Sequence, residues 1–210
     1  MKSSRAAFSQ FLDELKLPGR DGILAGFDSY HALLLEVNSR VNLFSRHAPA
    51  DGLWTKHFLD SLLPLKCVDF TGAKVLDFGS GGGLPGIPVK LAVPGCRMTL
   101  LDSVLKKTCA LEEMVARLEL ADCEVVCSRL EDYSARGGFD YILCRAVKLE
   151  QRYLKPLRNL LAPGGQLLCY KAKDWADIAP LKPLELLRME LEYGSRAIFA
   201  LGKEQLKTGS

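Results

Sequence analysis

The chain has 210 residues, 48% of them hydrophobic and 25% charged, with a net charge of +3. That length suits one core with a small appended element, and the charge is too mild to mark a nucleic-acid binder by itself. No apolar run approaches the roughly 18 residues that cross a bilayer, and residues 1–10 lack the apolar stretch of a secretory leader.

These features set the expectation of a protein that stays in the cytoplasm, off the membrane. The seven cysteines agree with it. Cys67, Cys96, Cys109, Cys123, Cys127, Cys144 and Cys169 are odd in number and show no C-x-x-C spacing, so neither a metal site nor a redox pair is expected. Most sit in apolar runs, where reduced cysteine packs as a small hydrophobe.

From Ser3 to about Leu65 apolar residues recur at helical spacing. Phe8, Phe11, Leu12 and Leu15 form one stripe, Phe27, Tyr30, Leu34 and Val37 a second, and Phe58, Leu59, Leu62 and Leu63 a third, with Pro18-Gly19 and Ala48-Pro49 as punctuation. Residues 1–65 are therefore expected to form a helical N-terminal element, and residues 66–210 the main domain. From Lys74 the pattern changes. Val75–Phe78, Met98–Asp102, Glu124–Leu130, Phe139–Ala146 and Gln166–Tyr170 read as strands, and Arg196–Leu201 is a last apolar run. Pro85–Val93 and the amphipathic Lys106–Leu120 read as helices, and Pro163-Gly164-Gly165 as a tight turn. Strands alternating with helices predict an α/β fold with a mainly parallel sheet. Ligands of such sheets bind at the C-terminal ends of the strands.

The first strand ends in Asp77-Phe78-Gly79-Ser80-Gly81-Gly82-Gly83, and the second ends in Asp102. Glycines between a strand and a helix let backbone approach a ligand closely, and an acid closing the next strand can accept from both hydroxyls of a ribose. Two cofactors match this pattern. Gly81 to Gly86 contains G-x-G-x-x-G, the dinucleotide fingerprint. Asp77-x-Gly79-x-Gly81-x-Gly83 contains the acidic glycine loop that suits S-adenosylmethionine. A carboxylate at Asp77 would repel a pyrophosphate but attract a sulfonium and an amino group. Pro85 and Pro88 crowd the helix start that a pyrophosphate would use. The chemistry favours S-adenosylmethionine, leaving S-adenosylhomocysteine as product, over a dinucleotide oxidoreductase.

Asp77 to Pro88 resembles the D-V-G-T/S-G-x-G-x-P-G-I-P signature of the RsmG, or GidB, family. Val41-Asn42-Leu43, Lys56-His57-Phe58-Leu59-Asp60-Ser61-Leu62, Leu100 to Ser103, Ser128 to Glu131 and Cys144-Arg145-Ala146 are also similar to family segments, so the resemblance covers most of the chain. It implies the class I methyltransferase fold, a Rossmann-like seven-stranded sheet with helices on both faces. It also implies methyl transfer to N7 of a guanine in 16S ribosomal RNA, with that RNA or the small ribosomal subunit as partner. No stable protein partner is implied, and a monomer is expected. Cofactor contacts are implied for Gly79, Leu84, Leu130, Glu131 and Arg145, beside Asp77, Gly81, Gly83, Asp102 and Ser103. Cys144, Ala172 and Phe44 stand where the family usually has serine, glycine and threonine.

Guanine N7 carries a lone pair and no proton, so no general base is required. A donor fixed on N7 would block the attack, so recognition should favour O6 and the phosphates. Arg145 and Lys171, at the ends of the fourth and fifth strands, are the candidate catalytic residues. Arg145 could instead pair with Asp77 or Glu131, and Lys171 could be a solvated strand end. Other cations are Arg40, Arg46, His47, Lys56, His57, Lys106, Lys107, Lys148, Arg152, Lys155, Arg158 and Lys173; many fall on the predicted ligand edge, and each alone reads as a solvated surface charge. His57 reads as a structural histidine, Asn42 as buried, and Trp54 and Tyr170 as core or rim aromatics.

Overall fold

Ser3 opens the first helix, its hydroxyl accepting from the Ala6 N–H at 3.3 Å, an N-cap that satisfies a donor the helix leaves open. This computed structural model describes residues 3–44 and 49–207. The expected break at Ala48 and the cations Arg46 and His47 lie outside the described residues. Helix α1, Ser4–Leu15, buries Phe8, Phe11 and Leu12. Helix α2, Arg20–Arg40, buries Phe27, Tyr30, Leu34 and Val37. The third stripe is buried but is not a regular helix. A widened π-type turn, Trp54–Leu59, runs into a short α3, Asp60–Leu62, and a tight 3₁₀ turn, Leu63–Lys66. Such bulged turns often mark functional sites.

The main domain follows the alternation. Strand β1, Lys74–Phe78, leads to α4, Gly86–Ala92. Strand β2, Arg97–Asp102, leads to α5, Leu105–Arg117. Strand β3 is Cys123–Cys127, and β4 is Phe139–Arg145. Helix α6, Gln151–Leu160, precedes β5, Leu161–Lys171. Strands β6, Leu184–Leu191, and β7, Gly194–Gly202, complete a seven-stranded sheet of order β3-β2-β1-β4-β5-β7-β6. Strands β1 to β5 pair in parallel, while β7 is antiparallel to both β5 and β6.

Three local readings change. Pro163-Gly164-Gly165 lies inside β5 as an irregularity between the Phe139–Leu161 and Tyr141–Gln166 pairs, not as a separate turn. Strand β3 stops at Cys127, and Leu130 already belongs to a short 3₁₀ turn. Not all the cysteines are core residues: all seven are free, Cys96, Cys144 and Cys169 are buried, and Cys67, Cys109 and Cys127 are exposed.

The sheet carries a core on each face. Val75, Met98, Leu100, Leu143, Leu168 and Tyr170 face the N-terminal helices, α4 and α5. Leu76, Phe78, Leu101, Cys144 and Cys169 share the other face with Leu154 and Leu157 of α6. This period of two along each strand decides where the site residues point.

Candidate active site at the strand ends

Strand β1 stops at Phe78, and the chain turns at Gly79 with φ 76°. A Cβ on Gly79 would lie 2.7 Å from Val147 Cγ2, so only glycine fits this turn. The loop is tied to β2 by the Gly81 N–H, which donates to Asp102 Oδ2 at 2.9 Å. The other carboxylate oxygen of Asp102 accepts from the Val104 N–H at 2.9 Å. Asp102 is thus both the closing acid of β2 and a cap on the approach to α5. Each oxygen keeps a further lone pair for a ligand hydroxyl.

Around this loop lies a cavity of about 640 Å³. Gly79, Gly81, Leu84, Asp102, Ser103, Leu130, Glu131 and Arg145 line it. So eight of the predicted residues meet in one place. Val104, Lys107, Ser128 and Arg129 complete one end, and Leu43, Phe44, His57 and Val147 the other.

Two predicted cofactor residues do not reach the cavity. Gly83 lies behind the loop, buried against Tyr30 and Ile87. Asp77 is fully buried. It follows Leu76 and precedes Phe78 on β1, so alternation turns it to the helix side, away from the ligand. Its Oδ2 accepts from the Gly86 N–H at 2.9 Å, and its Oδ1 has no hydrogen-bond partner among the described residues. Gly86 has to be glycine, because a Cβ there would lie 2.8 Å from that carboxylate and 2.4 Å from Leu100. Burial pushes the Asp77 carboxyl up to about 7, against the opposing pull of the Gly86 N–H. Asp77 therefore fastens the start of α4 to β1, and does not face a sulfonium.

Arg145 does not pair with Asp77 or Glu131. Alternation along β4 sends it to the helix side, where Nε approaches Asp60 Oδ2 at 3.4 Å. Nη1 donates to His57 O at 3.1 Å and Ser61 Oγ at 2.8 Å. Nη2 donates to Lys56 O at 3.1 Å and His57 Nδ1 at 3.2 Å. The four Nη N–H groups are thereby bonded, and Nε faces Asp60 in an ion pair. Asp60 also accepts from Arg196 Nε of β7 at 2.9 Å. Burial pushes the Asp60 carboxyl up, and the two arginines draw it back. Tyr170 donates to Ser61 O at 3.0 Å, and Tyr193 to Thr55 O at 2.9 Å. Side chains from the sheet thus fasten the carbonyls of the bulged turn.

Lys171 falls on the opposite face of the sheet from Arg145. Its Nζ pairs with Asp177 Oδ2 at 2.5 Å, half-buried and not a solvated strand end. It lines a second cavity of about 690 Å³, which shares Arg145, Ala146 and Val147 with the first. The two predicted catalytic residues therefore line the second cavity together, while Arg145 alone of the two lines the first.

Other expectations also move. Asn42 is exposed, and Asn38 is the buried asparagine, its Oδ1 accepting from the N–H groups of Leu43 and Phe44 at 2.8 and 3.0 Å. It holds that loop against the cavity. Trp54 and Tyr170 belong to the core. Arg40 is tied to Glu113 at 2.8 Å. Asp60, Arg196, Asn38 and Val147 were not singled out by their chemistry. Asp60 had a signal in the Lys56–Leu62 segment, whereas Arg196 was visible only as the start of an apolar run.

The glycine turn, the acid at the end of β2 and the open cleft fit a ligand with an adenosine at one end. Among known proteins, residues 23–185 match the family described as GidB, rRNA small subunit methyltransferase G. The chain belongs to this family. GidB relatives named "Ribosomal RNA small subunit methyltransferase G" include one from Parasynechococcus marenigrum, 39% identical over 82% of this chain and 71% of that protein. Another, from Geobacillus kaustophilus, is 31% identical over 96% of this chain and 81% of its own length. Membership makes the protein a small-subunit rRNA methyltransferase. Two solved structures share its fold, the class I methyltransferase fold. One is a SAM dependent methyltransferase from Aquifex aeolicus (TM-score 0.58, 14% identity, 70% of this chain and 92% of that one). The other is the N-methyltransferase NodS from Bradyrhizobium japonicum WM9 in complex with S-adenosyl-l-homocysteine (TM-score 0.56, 20% identity, 81% and 97%).

Proposed function

We propose that this protein transfers the methyl group of S-adenosylmethionine to N7 of a guanine in 16S ribosomal RNA. The observation that carries the reading is the Asp102-tied glycine loop opening into a cavity wide enough to admit a second group, in a chain of the GidB family. S-adenosylmethionine supplies, when bound, an electrophilic methyl carbon on a sulfonium. Asp102 would accept from its ribose hydroxyls, while Leu130, Glu131 and Ser103 would border its adenosine end. The backbone of Gly79 and Gly81 would let its chain run close to β1.

The guanine N7 lone pair forms the new N–CH₃ bond as the S–CH₃ bond breaks, and the positive charge passes from sulfur to the purine. No proton moves, so the site requires alignment and exclusion of water more than acid or base groups. Arg145 contributes as a positioning residue, holding the bulged turn against β4. Lys171, beside Asp177 on the far wall, would meet RNA phosphates only by exchanging that partner. Exposed Lys148, which lines the second cavity, is suited to phosphate contacts that set register without reading sequence. The protein would work as a cytoplasmic monomer, on bare 16S rRNA or the small subunit.

The test uses labelled S-adenosylmethionine with small subunits and with bare 16S rRNA lacking the modification. The expected result is label on one guanine, released by chemistry that cleaves at N7-methylguanine. Label on a ring carbon or a ribose, or none on either RNA form, would overturn the reading. Tight NAD binding without response to S-adenosylhomocysteine would return the dinucleotide alternative.

A further inference from the structure

We propose that His57 determines specificity for the acceptor base, its Nε2–H donating to O6 of the target guanine. The inference rests on the methyl-transfer reading above and identifies which side chain recognises the base. Guanine N7 and O6 share one edge. A forked arginine spanning both would cover the lone pair that must attack. The site needs a single donor that reaches O6 and leaves N7 bare.

Arg145, the cation nearest to that role by sequence, cannot fill it. Its four Nη N–H groups are held by Ser61 Oγ, the carbonyls of Lys56 and His57, and His57 Nδ1, and its Nε sits in an ion pair with Asp60. Those same bonds prepare His57. A guanidinium only donates, so the Nδ1 facing Arg145 Nη2 must accept, which places the ring proton on Nε2. The ring is half-buried and lines the cavity beside Phe44, with ring centroids 6.0 Å apart. Nε2 has no hydrogen-bond partner among the described residues, and it is not a buried orphan. It is a donor held ready at the end of the cavity opposite Asp102.

The charged groups around the ring are Arg145 from β4 and Lys56 from its own turn, with Asp60 and Arg196 paired behind Arg145. Burial, then the charges of Arg145 and Lys56, hold the imidazole down to about 4. It therefore stays a neutral single donor in cells, and is not a general base. The π-type turn Trp54–Leu59 presents it, fixed by carbonyl bonds to Arg145 and Tyr193.

The experiment compares kcat/KM on 16S rRNA carrying guanine or 2-aminopurine at the acceptor position. 2-Aminopurine keeps N7 and the 2-amino group but lacks O6. The enzymes are wild type, His57→Phe and His57→Gln, with S-adenosylhomocysteine affinity measured for each. Wild type should lose roughly 10- to 100-fold on 2-aminopurine, as for an unpaired buried donor. His57→Phe should lose about as much on guanine, and no more than about threefold further on 2-aminopurine. His57→Gln, which restores an N–H, should recover part of the guanine rate, and cofactor affinity should hold in all three. Full O6 dependence in His57→Phe would overturn the proposal. So would a wild-type enzyme indifferent to O6, a result that holds even if the variants misfold. Absence of any rRNA methylation by wild type would instead overturn the functional reading itself.

Discussion

The two ends of the first cavity are held by different means. At the Asp102 end, backbone does most of the holding, and the bonded groups are near neighbours in the chain. Gly81 meets Asp102 across 21 positions, Gly86 meets Asp77 across nine, and Val104 meets Asp102 across two. At the His57 end, side chains do the holding over long separations. Arg145 meets His57 across 88 positions, Tyr170 meets Ser61 across 109, and Arg196 meets Asp60 across 136. One end is a local motif that any strand–loop–helix unit can carry. The other exists only when the helical segment, β4, β5 and β7 have come together. The Asp102 end can accordingly recur wherever such a unit occurs, while the His57 end depends on the helical segment packed on this sheet.

The sharpest way to separate the ends is Asp60→Ala. It leaves two arginines facing each other with no carboxylate between them, and the folded state should lose about 3–5 kcal/mol. Denaturant unfolding measures this, and S-adenosylhomocysteine affinity below the transition should change little. A loss under about 1 kcal/mol would mean that the long-range end is not held by this pair. The next effect is Asp102→Ala. It should weaken S-adenosylhomocysteine roughly 10- to 100-fold in a titration calorimeter, with the His57 end intact. Unchanged affinity would remove Asp102 from the site.

Asp77→Asn probes the seam between loop and helix. The folded chain holds a proton on Asp77 up to about 7, against an ordinary 3.8. The native state thus binds that proton more tightly than the unfolded one, and stability from this group falls as pH rises from about 4 to 7. Asparagine still accepts from Gly86 and has no charge to gain. The variant's advantage should therefore grow between pH 5 and pH 7.5 in parallel unfolding curves; a shrinking advantage would sink the assignment. Smallest of all is Arg117→Ala. Arg117 joins Glu36 and Glu113 in an exposed network at 2.8 and 3.2 Å, far from both ends. Its loss should move the Tm by less than about 2 °C and leave methyl transfer unaltered.

The same division governs how much could be read in advance. The glycine loop, Asp102 and the succession of the first five strands along the chain follow from residues close together in sequence. The N-terminal stripes also held, because Phe8, Phe27 and Tyr30 repeat at helical spacing. Strand β6 was not located in the sequence, although the family resemblance implied seven strands. Leu184-Glu185-Leu186-Leu187-Arg188-Met189-Glu190-Leu191 is rich in good helix formers, yet pairing with β7 along its whole length makes it the edge strand. Tertiary context overrides local preference there. Asp77 was placed at the right strand end but turns away from the cavity, whereas Arg145 lines it with partners that were not foreseen. Their direction depends on which face of the sheet each strand residue takes, and nothing local announces that. Asp60 and Arg196 had no legible partnership, since a pair so far apart carries no spacing signal.

The span from Asp60 to Arg196 also bears on when the enzyme comes to life. A chain emerging from a ribosome makes the glycine loop early, and Asp102 soon after. The His57 end cannot close until Arg196 has been added, 136 positions after Asp60. If the His57 end receives the RNA, as proposed, a nascent chain is inert toward the particle that is making it until Arg196 is in place. Nascent chains stalled just before and just after Arg196 clears the exit should differ sharply in methyl transfer, and equal activity in both would refute the timing.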